Sequence, residues 1–437
     1  MSSLIFVIGV VLFFVGLLAS IALHEVGHML PAKKFGMKVS QYFVGFGRTV
    51  WSTKRGETEY GIKAIPFGGF VRIVGMFPPA VGAAPNEVRK ANTGPFQTLI
   101  DNARHAEYET VDPADTPRLF YQKPWWQKLI VMAGGPLVNI VIAFVLFAGV
   151  FTLYGVDTPT TTVSSVTDCV IPASDAGRTC APADKPSPAK QAGLHVGDKV
   201  IAFNGTKIDA WSDLTPLIRA NGDKPATIVV ERNGVQLTLT TRTIINQVYD
   251  TQNTQDPQKV ISVGFLGVSP EQVAVRQNAG FVVDKMGELT VATVKALGSF
   301  PGKLVGVAQS IAGGQRAQDS PMSVVGASRA AGELASYSDW TVGKRIAVLL
   351  SLLASVNLFL ALFNFIPLLP LDGGHIAGAL WEAIKRGFAK LFRRPDPGYV
   401  DVAKLLPLAY VAASFIVVMG VLLVVADIVN PIKIFNG

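Results

Sequence analysis

Apolar residues in this chain fall into four long blocks. The first runs from Leu4 to Pro31 without a Lys or Arg, and the others from Leu129 to Tyr154, Ile346 to Leu371 and Leu406 to Ala426. Each reaches the ~20 apolar residues that a helix needs to cross a bilayer. The pattern predicts a polytopic α-helical membrane protein with four transmembrane helices and a loop of roughly 190 residues between the second and third.

Other periods govern the segments between the blocks. Val39 to Val50 and Glu59 to Val74 are rich in Gly, β-branched and aromatic residues, with turn signals at Gly56 and Gly68-Gly69, which predicts a β-hairpin close to the inner membrane surface. Met76 to Tyr121 lacks a period and reads as a mobile insertion, with His105 solvated on it. In the long loop, Ala189 to Gly205 (AKQAGLHVGDKVIAFNG) reads as a Gly-bounded turn and a strand. Ser212 to Ala220 reads as a helix, and Thr227 to Arg232 and Val235 to Thr243 as strands joined by Asn233-Gly234, a strong hairpin signal. This order, with AGLHVGDKVIAFNG at its start, resembles the PDZ domain of bacterial membrane proteases, which would make the loop an α+β peptide-binding domain. His195 is expected in the turn as a structural or exposed residue. Leu289 to Ile311 has helical spacing with Lys295 and Lys303 on it and predicts an amphipathic surface helix, while Gln315 to Gly326 reads as a loop of unassigned role.

The expected organisation is therefore a first span (1–34), a membrane-associated β region (35–75), the insertion (76–123) and a second span (124–156). After these come the PDZ domain (157–270), a juxtamembrane linker with the amphipathic helix (271–345), a third span (346–375), a loop (376–404) and a fourth span (405–430).

Composition agrees with a membrane protein: 49% of residues are apolar and 16% charged, with a mean hydropathy of +0.38. A net charge of +8 would suit nucleic acid, but the basic residues are scattered and no recognition module surrounds them. Topology explains them instead. Fourteen Lys and Arg lie between Lys33 and Lys128, and six (Lys385, Arg386, Lys390, Arg393, Arg394 and Lys404) follow the third block, whereas none lies from Leu129 to Gly177. By the positive-inside rule the N-terminus and long loop are outside and the basic loops are inside. The first block lacks the basic n-region and cleavage site of a signal peptide. Cys169 and Cys180, the only cysteines, both fall on the oxidising side. A disulfide between them would contribute roughly 2 to 3 kcal/mol, the alternative being two unrelated thiols.

Against this apolar background a few polar side chains stand out. His24-Glu25-Val26-Gly27-His28 places two imidazoles on one helix face with a carboxylate beside them, the arrangement of a zinc hydrolase. Ionisable groups in a span cost roughly 2.5 kcal/mol or more each and mark function. His24 and His28 lie 9 and 5 residues before Lys33, about 8 to 14 Å of helix inside the basic boundary. A catalytic zinc takes three protein ligands and a water, so a third is needed. Asp372 is the leading candidate, because Pro367 and Pro370 break the third span just before it and imply water access. His375, one turn on, is a rival. Asn139, within the second span, reads either as an interhelical hydrogen-bonding residue or as one that orients the site.

HEVGH, Gly135-Pro136 with Asn139, a PDZ-like loop domain and Asn364-x-x-Pro367-x-x-x-Leu371-Asp372-Gly373 together resemble the site-2 protease family, in its bacterial single-PDZ branch. The resemblance covers nearly the whole chain, with Met76 to Tyr121 as the main unmatched part, and one PDZ domain stands where some relatives have two. It implies one catalytic zinc held by His24, His28 and Asp372, with Glu25 activating the water. Asn364, Pro367, Gly45 and Gly47 would bind substrate, and Glu59 to Pro66 would pair with it as an added strand. The implied substrates are single-span proteins of the cytoplasmic membrane, anti-sigma factors above all, with other membrane-protein remnants and no nucleic acid. From another class, a divalent-metal transporter or a PDZ scaffold with structural zinc is the rival, but the chain shows no internal repeat.

Overall fold

The computed structural model describes residues 2–78, 100, 112–175, 178–249, 260–314, 316–432 and 434. His105 and most of the 76–123 insertion lie outside them. Two compact units result, residues 1–152 with 278–435 and residues 153–277.

In the first unit, α1 (Ser2–Lys34) carries HEVGH near its C-terminal end. The hairpin follows as β1 (Val39–Arg55) and β2 (Thr58–Ile73), paired antiparallel and turning at Gly56. Its register doubles back: Gln41 to Val44 face Arg72 to Gly69 on one side and Glu59 to Ile62 on the other. Each long strand thus contributes two segments to a compact sheet. Gly45 makes the bend possible, since its φ is +91° and a Cβ there would meet the Ile65 carbonyl at 2.7 Å. The helix α2 (Trp125–Gly149) ends in a π-helical turn over Val150–Tyr154.

The second unit is sheet-rich, with β3 (Val156–Val166), the short α3 (Pro188–Gln191), β4 (Lys199–Phe203), β5 (Thr206–Lys207), α4 (Trp211–Ala220), β6 (Pro225–Arg232), β7 (Val235–Arg242), β8 (Ile244–Tyr249), β9 (Val260–Phe265) and β10 (Val268–Val275). The main sheet has the order β10-β3-β4-β6-β7 with β5 beside β4, and β8 pairs with β9. Asn233 and Gly234 both take positive φ in the β6–β7 turn, as a primed hairpin turn requires. Val163, Val200, Phe203, Leu214, Ile228 and Leu266 form the core. Asp198, buried beneath the Gly193–Asp198 turn, accepts two hydrogen bonds from Arg232 at 2.7 and 2.8 Å and one from the His195 amide at 2.8 Å. The His195 side chain is exposed. Cys169 and Cys180 are bonded to each other, with their Cα atoms 5.9 Å apart.

The first unit resumes with α5 (Ala279–Ile311), α6 (Val324–Ser336), α7 (Val342–Asn364), α8 (Asp372–Leu391) and α9 (Leu406–Val429). Four helices among the described residues are long and apolar enough to cross a membrane: Ser3–Lys34, Trp125–Tyr154, Val342–Asn364 and Val402–Val429.

Three expectations change. The amphipathic stretch at Leu289 starts ten residues earlier, at Ala279, and buries Val282, Met286 and Val307. Part of the unassigned segment Gln315 to Gly326 belongs to α6, a helix of small residues that packs on α1, where Gly9 and Gly332 allow close approach. In that segment Arg316 makes a fully buried 2.7 Å ion pair with Asp427 of α9, and Ser323 donates to Asp427 twice at 2.6 Å, anchoring the α5–α6 connection. Finally, the stretch 376–404, expected as a loop, is helical to Leu391 because Glu382, Lys385, Arg386 and Lys390 alternate with apolar residues at helical spacing.

Candidate active site

His24 and His28 sit one turn apart on α1, and Asp372 opens α8 immediately after the break over Phe365 to Leu371. The His24 Nε2, His28 Nε2 and Asp372 Oδ2 atoms form a triangle with all three edges at 3.3 Å. A tetrahedral centre with bonds of about 2.0–2.1 Å has edges of about 3.3–3.4 Å, so the donors already stand where a zinc ion would take them. They are the only group of three or more metal-ligating side chains of this kind among the described residues.

The neighbouring backbone prepares these donors. His28, almost fully buried, donates from Nδ1 to the carbonyl of Val131 on α2 at 2.8 Å, which leaves Nε2 as the free lone pair. Gly135, one turn further along α2, faces both imidazoles, and a Cβ there would come closer than 3.0 Å to Nε2 of each. Gly27 and Gly134 bring α1 and α2 into backbone contact, since a Cβ on either would strike the other's carbonyl. The ligand cradle is thus cut from three glycines.

Glu25 points to the hairpin. Gly69 of β2 lies against its Cγ, where a Cβ would stand 3.2 Å away. The Tyr42 hydroxyl donates to the Ala22 carbonyl at 2.9 Å and Lys33 donates to the Tyr60 hydroxyl at 2.6 Å, pinning the sheet to α1. At the outer edge of the hairpin Arg118 pairs with Glu57 at 2.7 Å and Lys38 with Asp115. The hydrogen bond from Arg118 holds the Glu57 carboxyl below its ordinary value, and that from Lys38 does the same for Asp115.

Asn364 is the last residue of α7, and Pro367 is exposed within the break. Gly45 and Gly47 both take positive φ in β1. None of these four belongs to the metal-ligating cluster. His375 is not in it either; its ring stands against Phe120 and Phe77, with centroids 6.4 and 6.5 Å away. Asn139 is buried one turn beyond Gly135, and its Oδ1 has no hydrogen-bond partner among the described residues.

Several contributors escape a reading of the sequence. Val131 acts through its backbone carbonyl, which no side-chain pattern reveals. Gly27, Gly134 and Gly135 are visible as glycines in spans, but not as the wall of a site. Lys128 and Glu382 form a buried ion pair at 2.7 Å that ties α8 to α2, and they lie 254 residues apart.

Comparison with known proteins agrees with this geometry. A sequence model of peptidase family M50 matches residues 12–394. The zinc metalloprotease Rip1 of Mycobacterium tuberculosis is 35% identical over 99% of this chain and 100% of its own length. Rip1 of Mycolicibacterium smegmatis is 34% identical over 99% of this chain and 100% of its own. The metalloprotease MmpA of Caulobacter vibrioides is 26% identical over 88% of this chain and 86% of its own. The chain belongs to peptidase family M50, the site-2 protease family of membrane zinc metalloproteases.

Proposed function

We propose that this protein is an intramembrane endopeptidase that cuts the transmembrane segments of single-span proteins, anti-sigma factors in particular, as a step in regulated intramembrane proteolysis. The observation that carries the reading is the 3.3 Å triangle of His24, His28 and Asp372 with Glu25 one residue from the first ligand. These three residues hold one zinc ion, which when bound supplies a Lewis acid and lowers the pKa of a coordinated water to about 7.

The chain's own residues do the rest. Glu25, seated against Gly69 of the hairpin, takes a proton from the attacking water and returns it to the leaving amine. Val131 fixes the His28 tautomer. The broken backbone from Phe365 to Leu371 lines a route for water. Asn364 and Pro367 at this break, and Gly45 and Gly47 in the hairpin, hold the substrate, with Glu59 to Pro66 pairing to it as an added strand. Unwinding is required because a helical peptide bond is closed off by its own hydrogen bonds.

The sheet-rich unit, residues 157–270 in this reading, is a PDZ domain on the extracytoplasmic side of the cytoplasmic membrane, where it acts as a size filter or a reader of a freshly cut C-terminus. The order of strand, helix and Asn-Gly hairpin supports this. Residues 1–34, 124–156, 346–375 and 405–430 provide the spans, with the active site near the cytoplasmic face. A comparison of membrane fragments in cells carrying the active protein and Glu25→Gln tests the substrate class. Single-span remnants, including those of anti-sigma factors, should accumulate in the variant, and identical fragment patterns would remove the proposal.

A further inference from the structure

The helix α8 has two faces with different partners. Toward α2 it buries Ala379 and Glu382, and the Glu382 carboxylate is engaged by Lys128 at 2.7 Å and by Arg386 at 3.1 Å. The opposite face is bare: Leu380, Trp381, Ile384, Phe388 and Leu391 are all exposed, Leu391 at 74%. Lys390, Arg393 and Arg394 lie exposed at its C-terminal end. Beside this face is an apolar groove of about 480 Å³ whose walls include Trp381, Ile384, Phe388 and Phe392 together with Lys385 and Arg394.

We infer that this groove binds an anionic phospholipid of the bilayer, with the acyl portion along Trp381, Ile384 and Phe388 and the phosphate between Lys385 and Arg394. Three observations favour a lipid over a protein partner. The face continues from membrane spans on both sides, α7 before the break and α9 after the connection. Its charge is net positive at the tip, where Lys390, Arg393 and Arg394 outnumber Asp396, which lies 3.6 Å from Arg386. The helix is also too charged to be one of the spanning helices, and a long apolar face edged by Lys and Arg is the form that lies in the headgroup plane. Because Asp372 forms the first turn of the same helix, the lipid would hold one end of the rod whose other end carries a residue of the cluster.

The test places the full chain in nanodiscs of phosphatidylcholine alone or of phosphatidylcholine mixed with phosphatidylglycerol. Amide hydrogen exchange over residues 380–394 is read in both. At about 1 kcal/mol per cation near an anionic surface and tenfold per 1.4 kcal/mol, two cations allow up to about thirtyfold stronger attachment, so exchange should slow by on the order of tenfold with phosphatidylglycerol. In the combined variant Lys385→Gln and Arg394→Gln the two compositions should give the same exchange. Phe388→Gln should weaken protection in both. Equal wild-type exchange in the two compositions overturns the proposal, and so does a difference that survives in the double variant. Protection appearing only with two copies per disc would assign the face to self-association and overturn it as well.

Discussion

Gly135 faces His28 so closely that a single methyl group between them would come within 3.0 Å of the imidazole Nε2. The missing side chain on α2 therefore leaves the space in which the donor triangle stands. Gly135→Ala should lower zinc affinity about ten- to a hundredfold, the usual consequence of disturbing groups that orient metal ligands. Competition with a chromophoric chelator measures it, and an unchanged affinity would show that the cradle is not tight. Val141→Ala, on the exposed side of α2, should leave affinity as it is.

Removing metal and removing the base should separate cleanly. Glu25→Gln keeps all three donors and should bind stoichiometric zinc while losing about a hundred- to ten-thousandfold in cleavage rate. Asp372→Asn and His28→Phe should lose the zinc itself. Metal analysis of the three purified variants checks this, and stoichiometric zinc in His28→Phe would overturn the ligand assignment.

Much of this site is legible in the sequence because its members violate their surroundings. His24, Glu25 and His28 stand out in an apolar span, and Asp372 follows two prolines that no span keeps without reason. What escaped the pattern did so on physical grounds. Gly27 and Gly134 look like any glycines of a transmembrane helix until their backbones are seen to touch. Gly326, Ala330, Ala331 and Ala335 are too small to mark α6 as a hydrophobic helix, although they are what lets it pack. The charges of α8 resemble those of a loop because one of them, Glu382, belongs to a buried pair whose partner, Lys128, lies on another helix.

That buried pair makes a stability prediction. Both side chains are almost wholly enclosed, so Glu382→Gln strands the Lys128 ammonium and should cost about 3–5 kcal/mol. The double variant Lys128→Met with Glu382→Leu should recover most of the loss. Thermal unfolding in detergent compares them, and a double variant as unstable as the single one would mean the pair has a role beyond mutual compensation.

The sheet-rich unit should show acid sensitivity at Asp198. Burial alone would raise this carboxyl, but the Arg232 guanidinium and the His195 amide outweigh it and hold it below its ordinary value. A lowered folded-state pKa contributes stability above the unfolded value of about 4, lost as pH falls through the folded value. Wild-type unfolding of this unit should therefore become easier below about pH 4. Asp198→Asn should be less stable at neutral pH and lose less on acidification, and parallel profiles for the two proteins would refute the assignment.

The claim on which the rest depends is that the triangle of His24, His28 and Asp372, with Glu25, hydrolyses a peptide bond inside the membrane. Its most direct test is mass spectrometry of the products when the reconstituted protein meets a single-span substrate. The account predicts fragments ending within the transmembrane segment, absent with Glu25→Gln and absent after zinc is chelated. Fragments ending only outside that segment, or cleavage undiminished in Glu25→Gln, would contradict it.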